Sequence, residues 1–255
     1  MLKGLFGKSR FLEADLEDWI FETWAWLMRN LGGMEHLAQT PLIIPTPEFF
    51  PRTETEGHER AGFMLDCLKQ TWGLMDWPTQ LEAFDRQPAN AQVGEFWNLA
   101  GGEAPNGLFQ ARDGLGWIGY ASDLVAQPHR LTATLAHELS HYLLSSVAEP
   151  SPGGEDAHEL ATELCVAYFG GGVFAANTAF EFSQHGDSFS QGWRSSRNGY
   201  FSERTWAFAL ALFLSLKNEP IPDRWLKPGL TAMTQKAMRY LAGSPSLMAP
   251  LRGIG

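Results

Sequence analysis

Cysteine is scarce in this sequence, and long apolar runs are missing from it. Cys67 and Cys165 are the two cysteines in 255 residues, so a disulfide framework is excluded and a reducing cytoplasm is the expected location. No run of 18 apolar residues occurs, which excludes a transmembrane helix of ordinary length. Residues 1–8 lack the apolar core of a signal peptide. These features predict a cytoplasmic globular protein.

Basic residues are also in short supply. The chain has 19 Lys and Arg against 29 Asp and Glu, which gives a formal net charge of −10. Nucleic acids and anionic membranes attract proteins through basic patches, so neither is an expected partner. A peptide or protein substrate stays compatible with this charge, and the sequence gives no indication of the oligomeric state.

One short motif carries chemistry. His137-Glu138-Leu139-Ser140-His141 places two histidines four residues apart, and on a helix such residues share a face and can bind one metal ion. Glu138 would stand beside the ion and take a proton from its bound water. An apolar residue recurs every fourth position through this stretch and predicts an amphipathic helix: Leu131, Leu135, Leu139 and Leu143. The motif predicts a hydrolytic zinc site.

A catalytic zinc site needs a third protein ligand and leaves one position for water. The apolar spacing over 155–168 predicts a second helix, which a short loop would return past the histidines. We expect Glu159 to be the third ligand and Glu163, on the same face, to hold the outer nitrogen of one histidine. Glu163, Glu155 and His158 are the alternative ligands that helical geometry leaves open.

The two segments together resemble the gluzincin group of zincin metallopeptidases. That group carries His-Glu-x-x-His on one helix and Glu-x-x-x-Asp on the next, and this chain has Glu159-x-x-Thr162-Glu163 in the second place. The resemblance implies Zn²⁺ bound by His137, His141 and Glu159, with Glu138 as general base. Glu163 replaces the supporting aspartate by a longer carboxylate. Manganese, iron and cobalt remain alternatives to zinc.

The resemblance covers about residues 108–170, and the flanking segments match no particular subfamily. It implies an α+β fold, a mainly helical zincin-like domain with a small sheet before the motif helix. It also implies that an edge strand of this sheet holds the substrate backbone; a hairpin that serves only as scaffold is the alternative. Asp113-Gly114 suits the two-residue turn of a hairpin, which the sequence predicts over 107–121.

The rest of the chain has a coarser pattern. We expect one domain over 1–255, with an N-terminal helical extension over 1–35 and a catalytic core over 107–180. Gly170-Gly171-Gly172 should interrupt the second site helix, and Ser202 is a candidate N-cap. Further helices are predicted at 12–31, 56–74, 203–217 and 228–241, with a proline-punctuated connector at 41–51 and a polar loop at 183–200.

The predicted function is zinc-dependent hydrolysis of peptide bonds. Hydrolysis also requires a donor for the developing oxyanion, and Tyr200, before a buried helix, is preferred over His185 and Arg197. The alternative is a non-catalytic zincin-like protein that keeps its metal for structure and binds or regulates a partner. Glu138 favours catalysis, since a purely structural site has no need of a base there.

Overall fold

Helices form most of the described chain. The computed structural model describes residues 9–85, 105–183 and 201–255. Within these ranges the helices are α1 (Ala14–Asn30), α2 (Gly33–Gln39), α3 (Gly57–Trp72), α4 (Pro128–Ser145), α5 (His158–Tyr168), α6 (Gly172–Ser183), α7 (Glu203–Lys217), α8 (Pro228–Ala242) and α9 (Pro245–Arg252). Short 3₁₀ turns precede α4, α5 and α8. The fold is α+β and mainly helical, as expected.

A small mixed sheet precedes the motif helix. Its strands are β1 (Thr79–Phe84), β2 (Gly107–Arg112) and β3 (Leu115–Ala121), in the order β1-β3-β2. β2 and β3 form the predicted antiparallel hairpin, and both turn residues, Asp113 and Gly114, have positive φ angles of 53° and 76°. These angles match a type I′ turn. The sequence did not predict β1, which pairs parallel to β3.

Helix α4 lies in the centre of the core. Pro128 occupies its first turn, where a missing N–H costs nothing, and the leucines of its apolar stripe are buried. The helix contacts β2, α5 and α6, so it joins the sheet to the helical layer. This placement fixes the motif between rigid elements on several sides.

The N-terminal helix belongs to the same hydrophobic cluster as the motif helix. Buried residues of α1, such as Trp24 and Leu27, share one cluster with those of α4 and α5. The indole N–H of Trp19 donates to the carbonyl of Pro152 at 2.8 Å, in the connection between α4 and α5. Tyr168 of α5 donates to the carbonyl of Gly33 at 3.0 Å. Helix α1 and the first residue of α2 therefore support the two helices that carry the motif residues.

The predicted helix boundaries agree with the structure where capping signals are clear. Ser202 caps α7, since its hydroxyl accepts the backbone N–H of Thr205 at 3.2 Å. Helix α5 ends at Tyr168, and the next helix begins at Gly172, so the glycine run does interrupt the helix. Helices α2, α6 and α9 were not predicted. No helix in the three described ranges has the length and apolarity needed to cross a bilayer.

A buried carboxylate fixes the start of α1. Glu17 is 1% exposed, and its Oε2 accepts the backbone N–H groups of Phe11 at 3.0 Å and Leu12 at 3.1 Å. Its Oε1 accepts the hydroxyl of Tyr240 in α8. Glu17 thus links the segment before α1 to a helix that is distant in the sequence.

Replacement of Glu17 by alanine is expected to lower the free energy of unfolding by about 2–4 kcal/mol, because it leaves two buried backbone donors and the half-buried hydroxyl of Tyr240 without this acceptor. Urea denaturation followed by circular dichroism measures this change. Glu13→Ala is the matched control, since Glu13 is exposed and makes no side-chain cap at the same end of the helix. Equal losses in the two variants would contradict the structural role of Glu17.

Candidate metal centre

Helix α4 brings the two motif histidines together. His137 is 7% exposed, and its Nε2 lies 3.1 Å from Nε2 of His141, one helical turn further along. Both nitrogens face the same point, as the spacing of four residues predicts. The two histidines thus lie on one face of the helix, and their role as metal ligands stays a prediction.

The third group comes from the first turn of α5. Glu159 Oε2 lies 3.2 Å from Nε2 of His137 and 3.5 Å from Nε2 of His141. In the described residues, His137, His141 and Glu159 form a cluster in which all potential ligand atoms lie within 4.8 Å of one another. Of the four candidate ligands in α5 and the turn before it, the structure therefore brings Glu159 to the histidines.

The triangle formed by these three atoms fits one face of a zinc coordination tetrahedron. Ligand bonds of about 2.0–2.1 Å in tetrahedral geometry separate neighbouring ligand atoms by about 3.3 Å. The observed separations are 3.1, 3.2 and 3.5 Å. Two imidazoles and one carboxylate are also the donor set of several catalytic zinc sites. The residues present fit a divalent ion of this size.

Glu163 supports the first histidine from the opposite side of its ring. Its Oε1 lies 3.5 Å from Nδ1 of His137, and the side chain is buried. Burial by itself lowers the pKa of His137, but the contacts with Glu159 and Glu163 outweigh it and raise that pKa well above its ordinary value. Two carboxylates therefore stabilise positive charge at this point, and a bound cation would benefit from the same field.

His158 contacts the second histidine and lies outside the ligand triangle. Its Nε2 is 3.1 Å from Nδ1 of His141, on the far side of the ring from Glu159. Thr162 Oγ1 is 3.3 Å from the same Nδ1 and donates its own hydrogen to the carbonyl of His158. Thr162 can therefore accept a hydrogen bond from an Nδ1–H of His141, which leaves Nε2 of His141 free to bind metal. From the sequence we expected His158 only as an alternative ligand, and its contact with His141 was not predicted.

Glu138 is buried beside the histidines. It is 5% exposed, and burial raises its pKa to about 8. Gly107, the first residue of β2, packs against it: a Cβ built there would lie 2.6 Å from Cγ2 of Thr134 and 2.8 Å from the carboxyl carbon of Glu138. Because glycine has no side chain, it leaves space for the carboxylate of Glu138 at this position. The sequence offered no sign of this contact, because the two residues are far apart in the chain.

Replacement of Gly107 by alanine is expected to displace the carboxylate of Glu138, which is the flexible end of its side chain, together with the methyl group of Thr134. A displacement of about 1 Å at a catalytic group can lower turnover about 100-fold. The measurement is kcat on a peptide substrate together with bound metal, which should not change. Gly62→Ala is the control, since a Cβ at Gly62 meets no atom within 4 Å. Full activity in Gly107→Ala would contradict this packing role.

The edge strand β2 also reaches the centre. The ring of Phe109 stacks on the imidazole of His141, with centroids 6.0 Å apart and an angle of 6° between the planes. β2 pairs with β3 on one side, and no other strand of the described ranges pairs with its second edge.

The predicted oxyanion donor lies outside the described residues. Tyr200 and its two alternatives, His185 and Arg197, all fall between residues 184 and 200. Their roles stay predictions.

The membership in the gluzincins also stays a prediction, since no family model, no curated protein and no solved structure matches this chain.

Proposed function

We propose that this protein is a zinc-dependent metallopeptidase. The observation that carries the proposal is the triangle of His137 Nε2, His141 Nε2 and Glu159 Oε2, with sides of 3.1–3.5 Å. His137, His141 and Glu159 would hold the ion, and Glu163 would orient His137. A bound zinc ion supplies Lewis acidity and an activated water.

The general base is Glu138. It lies between the two histidines in the sequence, and among the described residues its carboxylate has no hydrogen-bond partner that would hold it away from a water molecule. In this role Glu138 accepts a proton from the attacking water and delivers it to the leaving amine. Tyr200 is the proposed donor to the oxyanion.

A peptide in an extended conformation is the proposed substrate. Strand β2 is the outer strand of the described sheet on this side, and an extended peptide can pair with an edge strand of this kind. Gln110, Ala111 and Arg112 are exposed at its far end. Because Phe109 of this strand stacks on His141, a peptide paired with β2 would pass close to the metal ligands.

The number of ligands favours catalysis over a structural role. Structural zinc sites use four protein ligands, whereas catalytic sites use three and keep one position open. The described residues supply three. Both cysteines, Cys67 and Cys165, are buried free thiols outside this cluster, which accords with the proposed cytoplasmic location.

The test compares metal-free and zinc-loaded protein on an unfolded casein-like substrate. We expect hydrolysis with about one bound zinc per chain, loss of activity after chelation, and recovery when zinc is restored. Manganese, cobalt and ferrous iron in the restoring step identify the metal that works best. Tight stoichiometric zinc binding without hydrolysis would overturn the peptidase and favour the non-catalytic alternative.

A further inference from the structure

A small cavity adjoins the general base. Its volume is about 20 Å³, and His137, Glu138 and Glu163 form one part of its wall. Much of the remaining wall is apolar or nearly so: Ala133, Thr134, Ala175, Ala179, Phe201 and Trp206. A space of about 10–15 Å³ on this measure already admits one water molecule. The cavity therefore admits a group the size of a water molecule or a methyl group.

The proposed mechanism determines which part of a substrate lies against this cavity. Glu138 must come within about 2.6–3.2 Å of the leaving amine to protonate it. The residue that supplies this amine carries its side chain on the adjacent α-carbon. That side chain is therefore within reach of the cavity that Glu138 lines.

The walls resist enlargement. Phe201 and Trp206 are each 2% exposed, and their rings meet edge to face with centroids 5.4 Å apart. Ala175 and Ala179 lie on α6, which packs against both α4 and α7. Protein interiors are close-packed, so a larger side chain would have to displace one of these elements.

We infer that the protein cleaves peptide bonds in which a small residue, namely glycine, alanine or serine, supplies the leaving amine. This inference rests on the proposed function, because it takes Glu138 as the proton donor. The three alanines and the two aromatic rings would be the residues that determine this specificity.

The experiment is a digest of a degenerate peptide library by the zinc-loaded protein, with every cut mapped by mass spectrometry. We expect glycine, alanine and serine to be enriched about 10-fold or more over leucine and phenylalanine directly after the cut. Cleavage without preference at that position would overturn the inference and leave the peptidase standing. Absence of any cleavage would overturn the proposed function, and the inference with it.

Two variants test the cavity itself. Phe201→Ala should bring leucine and phenylalanine to within about threefold of alanine, because removal of a ring opens space for their side chains. Phe213→Ala is its control: that ring is fully buried in α7 and does not line the cavity. If Phe201→Ala does not fold, Ala179→Val fills the space and should shift the preference towards glycine. Unchanged cleavage profiles in the folded variants would overturn the assignment.

Discussion

Replacement of Glu138 by glutamine is expected to lower peptide hydrolysis by about 10²- to 10⁴-fold and to leave metal binding intact. Glutamine has the same shape but cannot accept and return the proton. Glu138 is buried, and glutamine fills the same space without a charge to desolvate, so the variant should fold. The measurements are kcat with a fluorogenic peptide and the zinc content after dialysis.

Glu155→Gln is the matched control for this variant. Glu155 is exposed, lies in the turn before α5 and is not part of the histidine cluster. Its activity should equal that of the unmodified protein. Turnover in Glu138→Gln that stays within about twofold of this control would rule out Glu138 as the general base, since general acid–base catalysis contributes far more.

Replacement of Glu159 by alanine is expected to weaken zinc binding more than 100-fold and to abolish hydrolysis. Loss of a partner outside the ligand set costs about 10–100-fold in metal affinity, and loss of a ligand should exceed that range. The variant removes the carboxylate that lies 3.2 and 3.5 Å from the two imidazoles. Competition with a chromophoric chelator measures the affinity.

Asp156→Ala and Glu163→Gln serve as reference variants for the loss of zinc affinity in Glu159→Ala. Asp156 is exposed and belongs to the turn before α5, so its loss should leave zinc affinity unchanged. Glu163→Gln should give an intermediate loss, because Glu163 contacts His137 on the side away from Glu159. If Glu159→Ala binds zinc as tightly as Asp156→Ala, another residue completes the metal site.

The parts of the fold that carry the motif could be predicted from the sequence, because they depend on local patterns. The leucine stripe of α4, the Asp113-Gly114 turn and the Ser202 cap each act over a few residues. The pairing of His137 with His141 is likewise set within one helix. The prediction that Glu159 lies near the histidines required a further assumption, namely that the second helix returns past the first. The structure has this arrangement.

Contacts between residues that are far apart in the chain could not be predicted from the sequence. Strand β1 pairs parallel to β3, so that Thr79 lies opposite Gly116, and no local pattern encodes a pairing between segments this far apart. Helix α6 begins with glycine and is apolar on most sides, which hides its helical period. The contact of Gly107 with Glu138 depends on how the hairpin docks on α4, and no single segment encodes that docking.

The hydrogen bond from Trp19 to Pro152 has a consequence for the order of events in this protein. It fastens the connection between the two ligand helices to α1, which carries none of the proposed ligands. The conformational entropy of this connection is therefore lost when the hydrophobic core forms, whereas small zinc domains lose theirs when the ion binds. We expect the polypeptide to survive repeated removal and return of a metal ion without unfolding.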